Sequence, residues 1–189
     1  MAPGGLVMTD QGGRTWQLRL PGPDGWATLS NGRKYRAGVP KVEIAGSLGK
    51  QDVKPGMLLQ FECTLDESGK VSAPVAEMRF GGKFKPGVRQ DRRRSGRDGV
   101  RSQVTGTVEK IQGALVSLRV PRSKFAKKGI FTVPVEDRLK VELKSQDIRH
   151  ARENDVISAV QGAELVSGDF LVQQISIRTS SQASAAAPT

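Results

Sequence analysis

The sequence predicts an all-β protein built from two tandem OB-like small β-barrels joined by a basic flexible linker. Three observations carry that expectation. The chain repeats itself in register: Leu18-Arg19-Leu20-Pro21 returns as Leu118-Arg119-Val120-Pro121, Lys41-Val42-Glu43-Ile44 as Lys140-Val141-Glu142-Leu143, and Ser68-Gly69-Lys70-Val71 as Ser167-Gly168-Asp169-Phe170. Three matches in one order mark two copies of a single module. Apolar residues recur every second position, the period of a half-buried strand. Turn dipeptides, Gln112-Gly113, Ser68-Gly69 and Ser167-Gly168, punctuate those runs.

The second copy gives the clearer series of strands. Val104 and Val108 face one way against Thr105, Thr107 and Glu109, which predicts a strand over 103–111. Ala114, Val116, Leu118 and Val120 alternate with Leu115, Ser117 and Arg119, a strand over 114–120. Further strands are expected over 129–134, 138–144, 156–164 and 170–178, the last from Ile175 and Ile177 between polar neighbours. Only the charged stretch 145–152 offers a helical turn, with Ser145 as its cap. Asn154 and, in the first copy, Gly56 both tolerate positive φ and mark the tight entry into the next strand.

The first copy follows the same plan less regularly. Trp16, Leu18 and Leu20 alternate with Gln17 and Arg19, and Leu59-Gln60-Phe61-Glu62-Cys63-Thr64-Leu65 is apolar at every odd position. Between Leu20 and Val39, Pro21, Gly22, Pro23, Gly25, Asn31, Gly32 and Gly38 predict a long loop or hairpin. Five or six short strands and one small helix per copy outline an OB-like barrel, with another small barrel or a sandwich as the alternative. The expected domains are 1–80 and 103–178, separated by a linker at 81–102 and followed by a disordered tail at 179–189. The expected core comprises Leu18, Leu20, Val42, Ile44, Leu59, Phe61 and Cys63 in copy one. In copy two it comprises Val108, Val116, Leu118, Val120, Val141, Leu143, Ile175 and Ile177.

Composition narrows function. Of 189 residues, 37% are apolar and 26% charged, as in a globular chain, and no apolar run approaches the length that crosses a bilayer. The net charge of +11 favours a polyanionic partner, nucleic acid or another acidic polymer. That excess concentrates at 81–102, where Lys83, Lys85, Arg89, Arg92, Arg93, Arg94, Arg97 and Arg101 stand against Asp91 and Asp98. These eight are the candidate polyanion-binding residues, able to displace counterions from a phosphate backbone. A solubilising spacer is the alternative for the same stretch. Trp26 and Tyr35, embedded in the copy-one loop, are candidates for stacking on bases, or for packing beneath that loop.

Enzymatic chemistry finds little support. His150 is the single histidine and Cys63 the single cysteine, so an ordinary zinc site cannot be assembled in one chain and no intrachain disulfide forms. Cys63 falls on the apolar side of its strand, where thiols are inert. Gly81-Gly82-Lys83 lacks the Lys-Ser/Thr helix start of a phosphate-binding loop. No catalytic residue, metal or cofactor is expected.

A resemblance extends these readings. Gly106-x-Val108, Lys140-Val141-Glu142-Leu143, Asn154-Asp155-Val156-Ile157, the Ser167-Gly168 turn and Gln174-Ile175-Ser176-Ile177, with Lys54-Pro55-Gly56-Met57 in copy one, resemble a small OB-like domain of unknown function. That domain occurs in exported bacterial proteins, and tandem pairs occur in planctomycete-like bacteria. The resemblance implies no catalytic residues to carry over. It implies an extracytoplasmic structural or interaction module, the runner-up to polyanion binding, and a leader upstream of Met1. Met1-Ala2-Pro3-Gly4-Gly5 itself has no leader character, and without an upstream extension the expected compartment is the cytoplasm.

Overall fold

The computed structural model describes residues 6–21, 25–96 and 99–179, with the backbone alone for 92–96. The described chain is all-β. Its elements are β1 (Leu6–Thr9), β2 (Thr15–Arg19), β3 (Gly25–Thr28), β4 (Lys34–Ala37), β5 (Lys41–Gly49), the single-turn η1 (Lys50–Asp52), β6 (Leu58–Leu65), β7 (Val75–Phe80), β8 (Gly87–Gly96), β9 (Gly99–Gln112), β10 (Leu115–Arg119), β11 (Ile130–Ser145), the single-turn η2 (Ile148–His150), β12 (Val156–Glu164) and β13 (Phe170–Thr179).

The compact units are not the two halves of the sequence. One unit comprises Met1–Ala45 and Gln146–Arg178, the other Gly46–Ser145 together with Thr179 onward. The second holds a closed five-strand barrel. β9 pairs antiparallel with β10, and β10 with β11. Along its other edge β9 pairs with β6 over eight residues, from Leu58 opposite Thr107 to Leu65 opposite Val100. β6 pairs with β7 at Leu59–Phe80 and Gln60–Arg79, and β7 runs parallel to β11 from Lys140–Glu77 to Leu143–Phe80. The ring β11-β10-β9-β6-β7 thus returns to β11.

One long strand serves two partners because it bends. Between Val135 and Lys140 the β11 register advances further than that of β7, which moves only from Val75 to Glu77. The surplus residues Glu136, Asp137 and Arg138 are exposed and Leu139 is buried. Such a bulge turns the strand, so its first half faces β10 and its second half β7. This explains why two strands, 129–134 and 138–144, were expected where one stands. The barrel interior is filled by the alternation: Val104, Val108, Val116, Leu118, Phe131, Val133, Val141 and Leu143 are all buried, with Leu59, Phe61 and Met78 from the earlier strands. The Phe61 and Phe131 rings lie 6.5 Å apart.

The expected flexible linker at 81–102 is instead largely strand. β8 and the start of β9 form a hairpin, with Gly87 opposite Thr105, Val88 opposite Val104, and Gly96 opposite Gly99. Charge density argued for a linker, but a strand needs only one face to meet the sheet, and Val88 and Val100 supply it. Gly99 is required where the hairpin turns back: its φ is +123°, and a Cβ there would fall 2.2 Å from the Leu65 carbonyl oxygen.

The other unit is built on hairpins. β1 pairs with β2 around a turn closed by Asp10, whose Oδ1 accepts from the amides of Gly12 and Arg14, each at 2.9 Å. β2 runs parallel to β13 at Leu18–Phe170 and Arg19–Leu171. β12 pairs with β13 along its whole length, from Val156–Arg178 to Glu164–Phe170. The Pro- and Gly-rich segment after Leu20 forms the two-stranded hairpin β3–β4.

Several expectations change in detail. The tail was expected to begin at 179, but Thr179 is buried and closes β13; residues 180–189 lie outside the described ones. The η2 turn is capped by Asp147, which accepts from the Arg149 amide, not by Ser145. Leu20 and Cys63 are half-buried rather than buried, because each stands beside a cleft. Asn154 and Gly56 do adopt positive φ, 68° and 91°.

Candidate polyanion-binding surfaces

The eight basic residues of 81–102 fall into different settings. Lys83 and Lys85 are exposed on the segment between β7 and β8, and Arg89 is exposed on β8 itself. Arg92, Arg93 and Arg94 lie where the β8–β9 ladder skips, between Gln90 opposite Ser102 and Ser95 opposite Val100. Arg97 lies outside the described residues. Arg101 is already engaged: its Nε donates to Glu62 Oε2 at 3.0 Å and its terminal nitrogen to the same oxygen. That carboxylate offsets the charge a phosphate would seek.

Trp26 and Tyr35 do not form one platform. In the β3–β4 register Trp26 is opposite Arg36, Ala27 opposite Tyr35 and Thr28 opposite Lys34. Alternation therefore puts the two rings on opposite faces. Tyr35 packs with Ala27 and Leu29 against the buried Ala37, Leu165 and Leu171, and its hydroxyl accepts from Gln173 Nε2 at 2.9 Å. Trp26 is 69% exposed, on the face that also carries Thr28, Lys34 and Arg36, all exposed. The hairpin is held in place by its inner edge: the Ser30 amide donates to the Glu164 carbonyl at 2.9 Å and the Val166 amide to Thr28 at 3.2 Å. An indole fixed outward among cations can take a base on its face and phosphates beside it.

A cleft of about 1060 Å³ runs along β6 and β7 and is lined by Gln60, Cys63, Glu77, Arg79, Arg101 and Glu142 among others. Its charges cancel. Arg79 lies 3.5 Å from Glu142, and Lys144 reaches the same carboxylate at 2.7 Å; the Lys144 hydrogen bond holds that carboxyl below the ordinary glutamate range. Burial pushes the Cys63 thiol up to about 12, so at neutral pH it is protonated and a poor nucleophile. His150 closes η2, beside the Asp147–Arg149 pair. Among the described residues no three His, Cys, Asp or Glu side chains gather at one point to hold a metal ion. Among the described residues no helix is long and apolar enough to cross a membrane.

A second basic stretch escaped the sequence reading. The β10–β11 loop, Pro121-Arg122-Ser123-Lys124-Phe125-Ala126-Lys127-Lys128-Gly129, carries four cations and no acid. All four are exposed, while Ala126 is buried and Phe125 half-buried. The signal lay in composition, but the denser run at 81–102 drew the charge argument to itself. No protein-family model matches this chain, and neither does any curated protein or solved structure.

Proposed function

We propose that the protein is a non-enzymatic binding module with weak, salt-dependent affinity for a polyanion, nucleic acid or another acidic polymer. The observation that carries this reading is the outward face of the β3–β4 hairpin, where a 69% exposed Trp26 stands among Lys34 and Arg36. A single exposed tryptophan offers a base a flat apolar face to stack on, and cations beside it select an anion. The charge of +11 and the basic β8 strand support the same reading. Trp26 is one of two tryptophans, so its emission reports directly. Titration with single-stranded oligonucleotides should quench it at low salt and lose the effect at high salt. No binding at low salt would end the proposal.

The module itself we read as OB-like. A ring of five strands, closed by one parallel contact and visiting β6 and β7 out of chain order, is the Greek-key arrangement of that barrel. In this reading the repeats exchange strands. β6 and β7 of the first copy correspond to β12 and β13 of the second. Each compact unit then takes its leading strands from one copy and its closing strands from the other. The unit boundaries at 45/46 and 145/146 support that reading. A second function, a structural or interaction module of the cell exterior, is favoured by the charge-balanced cleft along β6 and β7, which suits a neutral or zwitterionic partner. Binding that is unaffected by salt, or directed only to protein or uncharged polymer, would select it.

A further inference from the structure

We propose that the β10–β11 loop, with the β6–β7 turn beside it, is a binding site for single-stranded nucleic acid. The inference rests on the polyanion reading and gives it a place in the Gly46–Ser145 unit. Four exposed cations, Arg122, Lys124, Lys127 and Lys128, occupy nine consecutive residues with no acidic side chain within the loop itself. Among the described residues no ion pair takes up any of them, in contrast to Arg101 and Arg119, which are bound to Glu62 and Glu109.

The loop is ordered rather than loose. The Ser123 and Ala126 amides exchange hydrogen bonds with each other's carbonyls at 3.3 and 3.1 Å. The Gly129 amide donates to Ala126, and Val120 to Gly129, both at 2.9 Å. Ala126, 2% exposed, pins the turn to the barrel. Cations held on a preformed turn lose less freedom on binding than cations on a mobile chain.

An aromatic wall stands beside the charge. Phe125 packs over the β6–β7 turn so closely that a Cβ on Gly69 would lie 3.0 Å from its ring. Between them runs a shallow cleft of about 380 Å³, lined by Lys70, Val71, Phe125, Ile130 and Thr132 among others. Ile130 is 38% exposed on its floor. Lys124 Nζ sits 4.6 Å from the Phe125 ring centroid, so ring and cation are already juxtaposed. Phosphates need the cations; an unpaired base, flat and weakly polar, needs the apolar wall. A sulfated polysaccharide would use the first and leave the second idle. The combination therefore favours a single-stranded nucleic acid.

The test uses the full chain, a labelled thymidine oligonucleotide and heparin. Replacing Arg122, Lys124, Lys127 and Lys128 together by Gln should weaken oligonucleotide binding roughly tenfold or more at low salt, and flatten the salt slope by up to about 2.8, at ~0.7 per phosphate contact. Lys127→Gln with Lys128→Gln, a milder change on the same turn, should give about half that loss of slope and guards against a folding defect. Phe125→Leu should weaken oligonucleotide but not heparin binding. Unchanged affinity in the quadruple variant, with the parent still binding in a salt-dependent way, overturns this site and leaves the polyanion reading intact. If Phe125→Leu weakens neither ligand, the partner is an acidic polysaccharide and the nucleic-acid assignment is overturned. A parent that binds nothing at low salt removes both.

Discussion

The two compact units solve the same problem with different resources. In the Gly46–Ser145 unit, β9 and β11 are long strands of 14 and 16 residues. Each is long enough to hold different partners along its length, and the ring closes. In the Met1–Ala45 and Gln146–Arg178 unit, β1 has 4 residues and β2 has 5. Among the described residues β1 pairs with β2 alone. The segment that matches the first half of β11 by position is broken by Pro21, Gly25, Asn31, Gly32, Gly38 and Pro40 into the β3–β4 hairpin and β5. A strand cannot be both long and rich in residues that lack an N–H or favour turns. The comparison teaches that closure here is a matter of strand length. It also shows the return on the broken version: the hairpin it creates is where Trp26 is displayed.

The largest expected effect tests that contrast at matched positions. Leu18 and Leu118 are each 0% exposed. Leu118→Ala sits in a closed, interdigitated interior that relaxes little, and should cost about 4–5 kcal/mol; Leu18→Ala, in the hairpin-built unit, should cost nearer ~2.5–3 kcal/mol. Urea unfolding of both variants measures the difference. Equal losses would mean that closure does not make the barrel the stiffer unit. The same asymmetry should appear in amide exchange, with β9 and β10 slower than β1 and β2.

Next in size is the division of labour on the β3–β4 hairpin. Trp26→Ala should leave the unfolding midpoint nearly unchanged and weaken single-strand binding by about 1–3 kcal/mol, the range for one base–aromatic stack. Tyr35→Ala should do the reverse, because its ring packs against Leu165 and Leu171 and its hydroxyl holds Gln173. Equal effects on binding from both variants would contradict the opposite-face register.

How far the sequence foretold this follows from which signals are local. Alternation is local, and the expected core residues Val116, Leu118, Val141, Leu143, Ile175 and Ile177 are buried. Positive φ is local too, and Asn154 and Gly56 have it. Strand partnership is not. Nothing in Leu59-Gln60-Phe61 announces that it will pair with Gly106-Thr105-Val104, so the repeat points to the halves of the sequence as units although the fold divides elsewhere. The β8 strand hides for another reason: only Val88 carries its apolar signal, set among arginines. On the candidate surfaces, composition found Trp26 and the basic residues of 81–102. It could not tell that Trp26 and Tyr35 diverge, that Arg101 is neutralised by Glu62, or that Phe125 stands beside the second basic loop.

A smaller matched pair probes the tight turns that enter β6 and β12. Gly56 has φ +91°, with nothing near its Cβ position, whereas Asn154 occupies φ +68° with a side chain. Gly56→Ala should therefore cost about 1–2 kcal/mol from backbone strain alone. Asn154→Gly should change stability by only a few tenths of a kcal/mol, roughly, because it trades strain for chain entropy. Thermal unfolding of the two variants would show whether both turns use the left-handed conformation for its own sake.

The smallest effect concerns acid. Hydrogen bonds from the Arg149 side chain and amide hold Asp147 down to about 2, below the ordinary 3.8. Asp66 is lowered in the same direction, first by the Ser68 hydroxyl and then by the Lys70 amide. A carboxyl whose folded pKa lies below its unfolded value adds stability above the unfolded value and loses it as pH falls through the folded one. For Asp147 the contribution is complete by about pH 5 and fades toward pH 2. The pair is largely open to solvent, so screening keeps that contribution small. Asp147→Asn should thus lower the unfolding temperature slightly at pH 7 and not at all near pH 2. Asp66, at the β6–β7 turn of the other unit, allows the comparison to be closed. Its network orders the turn on which Phe125 rests, so Asp66→Ala, which removes the Oδ1 that accepts from the Ser68 hydroxyl and the Lys70 amide, should also weaken oligonucleotide binding at pH 7, an effect that Asp147→Asn does not share. If the two variants behave alike in the binding assay, the turn beneath Phe125 has no part in holding the site.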